Sequence, residues 1–406
     1  MRVLATCLPG HGHFNPMLPL AHALTRAGHE VAFATAEDFC PRVVAAGFTA
    51  FSAGLSLSRQ MAEARDRYPE QDAMKGAARF ESFVPRMLAG VAAPARAEDL
   101  VPLVERWKPD VLVHDETEFA GPLAAAVAGI PHADHSVGIL RPLAMARLAG
   151  ETLAPLRERW KVDVGRLGPF GGMFTYLYLD VAPPTLQSPE IAKIAVAHPV
   201  RNAEVRAGAE GGELPGWFRS MPEAPLVYVS LGTVFNGKAG EVFAAVLEGL
   251  ADEACNVILT VGHDNDPADF GPQPDHIHIE RFIPQSLLLS HCDAVVNQGG
   301  TAVLSILACG LPLLLLPLGA NQFHNAAACT AAGVGRQLLP GEVTAEAVRR
   351  DVRALLDDPA LAARARLVQA ELEAMPAPEV GVELLERLAT ERQPLPRRSG
   401  PTVTAR

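Results

Sequence analysis

The chain lacks several features that would place it quickly. Its six cysteines (7, 40, 255, 292, 309 and 329) include no C-x-x-C pair. Most lie inside apolar segments, so they read as reduced core residues of a cytoplasmic protein rather than as bridges or metal ligands. No uninterrupted apolar run approaches the roughly 20 residues of a membrane span, and the longest candidate is broken at Pro312 and Pro317. The opening Met1-Arg2-Val3-Leu4-Ala5-Thr6-Cys7-Leu8 is too short for a secretory leader and reads as a first strand. Lys and Arg form no long stripe and the net charge is −11, which disfavours nucleic acid or anionic lipid as principal partner. Short internal repeats are absent too. The 13 histidines include His-x-His at 11/13 and 276/278, but no carboxylate or cysteine nearby completes a metal site, so no metal and no resident cofactor are expected.

What is present is a folded chain of 406 residues with 49% apolar content, enough for two domains of about 200 residues each. Residues 3–8, a proline-started helix over 16–27 closed by Gly28, and a strand over 30–35 make a βαβ unit. Pro109 to Asp115 forms another strand ending in polar residues. A second alternation of strands and helices begins at Leu226 and carries strands at 256–261, 276–280, 294–297 and 313–317. The Gly/Pro-rich stretch between them reads as a linker. The expected division is therefore 1–205, a linker over 206–225, a second domain over 226–392, and a disordered tail over 393–406.

The densest information lies between His278 and Gly335, where each polar cluster ends a hydrophobic run. These clusters are Arg281-Phe282-Ile283-Pro284-Gln285, Asn297-Gln298-Gly299-Gly300-Thr301, and Gly319-Ala320-Asn321-Gln322. In open parallel sheets ligands bind outside the carboxyl ends of the strands, so the clusters should converge. Gly299 and Gly300 let backbone approach a ligand, and a helix starting near Thr301 would turn N–H groups toward a diphosphate. Gly10-x-Gly12 after the first strand, with Glu37 or Asp38 near the end of the second, suggests a dinucleotide site. That reading fails on the missing third glycine and on Pro16, which starts the helix instead.

Read in order, Gly12-His13-Phe14-Asn15-Pro16, Val229-Ser230-Leu231-Gly232-Thr233, Arg281 to Gln285, Gly310-Leu311-Pro312, and Asn321-Gln322 with Asn325-Ala326 resemble the bacterial natural-product branch of glycosyltransferase family 1. The resemblance covers about residues 1–390. It implies the GT-B fold, an α/β arrangement of two Rossmann-like domains facing across a central cleft. It also implies an inverting, metal-independent transfer of a sugar, including a deoxysugar, from a UDP or TDP donor to a hydroxyl of a hydrophobic small molecule. His13 is the candidate base, since a neutral imidazole can take a proton from a hydroxyl. Asp115, at another strand end, would hold that imidazole; His11 and Asp110 are the competitors. Gly12, Ser230, Gly232 and Thr233, with Gln298 to Thr301, would meet the donor phosphates. Phe282, Ile283 and Gln285 would meet the nucleoside, and Asn321 and Gln322 the sugar.

Two departures stand on the donor side. The family usually has His-Gly-Gly-x-Gly-Thr where this chain has Asn297-Gln298-Gly299-Gly300-Thr301-Ala302, which puts either Asn297 or Gln298 in place of the histidine. An amide can donate to phosphate but carries no charge. Asn321 stands where the family usually has Asp or Glu. These changes motivate an alternative, a noncatalytic homologue that binds a ligand or supports a partner protein, and a further one, another reaction using an activated donor. The sequence gives no handle on oligomeric state.

Overall fold

The computed structural model describes residues 1–74, 76–202, 213–232, 239–262 and 265–397. Thr233, most of the expected linker's first half and the last nine residues of the expected tail lie outside them. The chain divides into two compact units. The first comprises Met1–Ala182, Gln187–Ala203 and Met375–Arg406, and the second Pro183–Leu186 and Glu204–Ala374.

The first unit is built on seven strands: β1 (Arg2–Thr6), β2 (Glu30–Thr35), β3 (Thr49–Ser52), β4 (Val111–Asp115), β5 (His132–His135), β6 (Tyr178–Asp180) and β7 (Ala197–Pro199). They lie in the order β3-β2-β1-β4-β5-β6-β7, every pairing parallel. Parallel sheets covered on both faces read as continuous apolar runs, and β1 shows why. Val3 and Ala5 join one core with Leu24 and Leu385, while Leu4 joins another with Leu100 and Leu123. The second unit carries β8 (Leu226–Ser230), β9 (Asn256–Thr260), β10 (Ile277–Glu280), β11 (Ala294–Asn297), β12 (Leu313–Leu315) and β13 (Gly335–Gln337). Their order is β10-β9-β8-β11-β12-β13, again all parallel. Both units are thus doubly wound, and strand order reverses between β1 and β4 and between β8 and β11. At such switch points the loops diverge and leave a crevice.

Three expectations about the chain's division change. The last helix, Pro378–Glu391, belongs to the first unit rather than the second. Leu385 and Leu388 are fully buried in the core that holds Val3 and Leu24, and Gly381 lets the helix lie close to Leu20. Apolar burial holds it there. The Arg26–Glu379 pair at 3.0 Å is exposed on both sides and contributes little. The tail does not begin at 393, since Leu395 is buried and its N–H reaches Tyr176 O at 2.8 Å. The later half of the linker packs on the second unit, where Trp217 stacks on His278 at 4.0 Å and donates to Glu280 at 3.0 Å.

Candidate active site

The loop after β1 does not form the plain turn expected. Gly10 is followed at once by a helical turn, His11–Phe14, then a tight turn over Asn15–Met17 and the helix Leu18–Arg26. Pro16 and Pro19 each lack the N–H that would continue the ladder, which divides the helix. His13 therefore sits on a helical turn above the carboxyl end of β1.

Across the switch point β4 ends at Asp115, which is fully buried. Its carboxylate accepts from Leu8 N at 2.8 Å, Thr117 N at 2.8 Å and the Thr117 hydroxyl. His13 Nδ1 lies 3.4 Å from Asp115 Oδ1 and 3.2 Å from Thr117 Oγ1. Burial alone would push this carboxyl up, yet His13, Thr117 and the Leu8 N–H together hold it well below the usual carboxylate range. An ionised Asp115 keeps the imidazole proton on Nδ1 and leaves the Nε2 lone pair to act as base. His13 is about one-quarter exposed, so a substrate can reach it.

Three polar residues following Asp115 were not expected to matter. Glu116 is buried, bonded by the Tyr178 hydroxyl at 2.9 Å and paired with Arg141 at 2.9 Å. Burial raises its pKa, and Arg141 and Tyr178 oppose that rise. Glu118 caps the helix Ala120–Ala128, accepting from Ala120 N at 2.7 Å and Gly121 N at 2.9 Å, with the buried Arg96 3.9 Å away. Thr117 joins His13 and also lines an apolar cleft, of about 430 Å³ including open solvent, with Leu88, Leu140, Met145 and Phe174 among its walls. The only sequence signal was four consecutive polar residues after an apolar strand, Asp115-Glu116-Thr117-Glu118.

Beneath the site lies a buried cluster. His114 Nε2 is 3.0 Å from His132 Nδ1 and 3.2 Å from Asp134 Oδ1, while Phe174 N donates to Asp134 at 2.6 Å. Burial lowers His114 to about 4 and pushes Asp134 well above the ordinary carboxyl range, so the group is neutral. A folded-state carboxyl raised above its unfolded value binds a proton that the unfolded chain releases. Stability that is full below about pH 4 is then lost as pH rises toward the folded value, by about 1.4 kcal/mol per pH unit. Asp134→Asn is uncharged and removes this slope. Urea denaturation should find the variant gaining on the wild type between pH 5 and pH 7; a pH-independent difference would mean that Asp134 is ionised.

In the second unit the expected donor residues fall into distinct settings. Asn297 is buried, and both ends of its amide are engaged, Nδ2 with Ser230 O at 3.1 Å and Oδ1 with Gly299 N at 2.9 Å. It ties β11 to β8 and shapes the glycine turn. Gln298, also buried, packs its amide against Gly232 and Gly300 and leaves Oε1 without a partner among the described residues. Gly232 has φ +75°, and any Cβ there would overlap Gln298 Nε2. Gly299 has φ +88° against Gln322 O. Gly232→Ala should thus cost about 1–3 kcal/mol in denaturant titration and displace Gln298.

The helix after the glycines is short. It runs only over Ala302–Leu307 with Thr301 as its cap residue, so its dipole is small. The Gln322 oxygen accepts from Leu318 N at 2.7 Å and Gly319 N at 2.9 Å. Only its NH₂ remains to turn outward. Asn321 precedes the helix Gln322–Ala331 without capping it, and follows Ala320 at φ +54°, a conformation rare without glycine. Phe282 is half-exposed, Ile283 is buried, and Gln285 Nε2 is buried without a partner among the described residues. Gly12 belongs to the first unit, beside His13, and the other residues assigned to the donor belong to the second.

Among the described residues no group of three His, Cys, Asp or Glu could hold a metal, and no helix is long and apolar enough to cross a membrane. Two family models match the chain, both described as erythromycin biosynthesis protein CIII-like, the N-terminal domain over residues 22–232 and the C-terminal domain over 244–388. The L-demethylnoviosyl transferase of Streptomyces niveus is 32% identical over 345 residues, covering 83% of this chain and 85% of that protein. The aclacinomycin-T 2-deoxy-L-fucose transferase of Streptomyces galilaeus is 29% identical, covering 97% of each. The solved structure of the glycosyltransferase VinC in complex with DTDP superposes with a TM-score of 0.74 at 26% identity, covering 96% of this chain and all of that one.

Proposed function

The chain belongs to the erythromycin biosynthesis protein CIII-like family of GT-B glycosyltransferases, nucleotide-sugar-dependent enzymes of antibiotic pathways, and on that premise we propose an inverting, metal-independent transfer of a deoxysugar from a TDP donor to a hydroxyl of an apolar natural product. The observation that carries this reading is the His13–Asp115–Thr117 cluster, whose Thr117 lines an apolar cleft. His13 Nε2 takes the proton as the acceptor oxygen attacks the anomeric carbon. Asp115 steadies the imidazolium that forms, and the bond to the leaving diphosphate breaks on the opposite face of the sugar.

On the donor side Gln298 takes over the missing histidine's contact, because Asn297 is occupied with backbone on both amide ends. A neutral amide supports a leaving diphosphate less well than an imidazolium, by about 1–3 kcal/mol. Asn321, unengaged as a cap and held beside a strained residue, faces the sugar, and its NH₂ favours a sugar that presents an acceptor where the family's carboxylate meets a hydroxyl. DTDP bound to VinC supports a thymidine nucleotide over a uridine one. The noncatalytic reading gains no support from these relatives.

Thermal-shift titration with TDP, UDP and GDP tests the donor assignment. TDP at a hundred times its Kd should stabilise the fold by about 2.7 kcal/mol, with smaller effects from the others at equal concentration. Absence of a shift with all three would overturn the assignment.

A further inference from the structure

Among the apolar walls of the cleft beside Thr117 stands one cation, Arg141. Its Nη1 is 2.9 Å from Glu116, yet its Nε–H is buried without a hydrogen-bond partner among the described residues. A buried guanidinium N–H left unpaired is costly, and a ligand oxygen would satisfy it. The position is also built rather than incidental. Leu140 N is held by Gln187 at 2.9 Å and Leu143 N by Glu190 at 2.9 Å, which pins the backbone on both sides of Arg141. Glu116 is itself fixed by Tyr178 at 2.9 Å.

We propose that Arg141 selects the acceptor by donating a hydrogen bond to a carbonyl oxygen on an otherwise apolar molecule bound in this cleft. Glu116 already balances the guanidinium charge, so a polarised neutral oxygen suits the site better than a second full anion. Apart from Glu116 and Thr117 the wall is apolar, with Leu88, Leu140, Met145, Met173 and Phe174 offering burial and no polar readout. A site built to hydrogen-bond an oxygen rejects an analogue lacking it far more sharply than an apolar pocket discriminates by size.

This inference rests on reading the cleft as the acceptor site, and its test needs no donor and no turnover. Hydroxyfluorenone and hydroxyfluorene differ only in a carbonyl against a methylene. Their binding to the full chain is measured by calorimetry at a pH where both phenols are neutral. The wild type should bind the ketone about tenfold tighter or more. Arg141→Met should erase that preference by weakening the ketone alone, and Arg141→Lys should restore part of it. Should Arg141→Met alone unfold by leaving Glu116 unpaired, the double substitution R141M/E116Q removes that charge and the same comparison is made. Equal binding of the two probes by the wild type, no binding of either, or a preference that survives R141M would each overturn the proposal. Failure of sugar transfer with an intact ketone preference would instead strike the transferase mechanism and leave this inference standing.

Discussion

His13→Ala should lower the rate of sugar transfer by about 10²–10⁴-fold while leaving nucleotide binding and the melting temperature close to wild type. The side chain is partly exposed, and among the described residues it bonds to Asp115 and Thr117. The effect should appear in kcat more than in acceptor KM, because the proton moves in the transition state. Asp115→Asn provides the companion measurement. The isosteric amide keeps an oxygen for one backbone donor but turns an NH₂ toward another, Leu8 N or Thr117 N, and cannot hold an imidazolium. Its rate should fall comparably and its stability should fall as well, so the two variants separate chemistry from scaffolding. Full activity in H13A would remove the assigned base and with it the mechanism.

The meeting of His13 and Asp115 was legible because one lies in the loop after β1 and the other ends β4, and an open parallel sheet gathers strand ends at its switch point. The order β2-β1-β4 then sets the loops of β1 and β4 side by side. Thr117, Glu116 and Arg141 were not legible, since their roles depend on which way side chains turn beyond the strand end. Arg141 lies in a loop after β5, a four-residue strand of His132-Ala133-Asp134-His135 whose polar composition hides its burial. Hydrophobic periodicity cannot find a strand whose histidines are kept neutral by burial. On the donor side the sequence does not show which amide ends bond to backbone. Nothing in the sequence distinguishes an amide that meets a ligand from one, like those of Asn297 and Gln322, that closes its own loop. The final helix shows the same limit, for its period announces a buried face without naming the core that receives it.

Arg96→Met should be among the most destabilising single changes in the first unit, by about 3–5 kcal/mol. Arg96 is 1% exposed, donates to Cys7 O at 2.7 Å and lies 3.9 Å from Glu118, itself 2% exposed. Removing the guanidinium leaves a buried carboxylate without a counter-charge. At about 2–4 °C per kcal/mol the melting temperature of that unit should drop by roughly 6–20 °C. The deficit should depend on pH in a definite direction. Burial raises the Glu118 pKa and Arg96 opposes the rise, so without Arg96 the folded value climbs further. The folded variant then holds a proton that the unfolded chain releases above its ordinary value near 4.5. Its stability is retained at acid pH and lost as pH rises, so the gap to wild type should be wider at pH 8 than at pH 5. The double substitution R96M/E118Q removes both charges and should recover part of the loss and abolish its pH dependence, the remainder being the cost of turning an NH₂ toward Ala120 N or Gly121 N. Because Glu118 also caps the helix following the Asp115 loop, transfer rate should fall in the single variant and return in the double one. A double variant no more stable than R96M would show that Arg96 acts through packing, and the loop that presents Asp115 would then owe its position to shape rather than to charge.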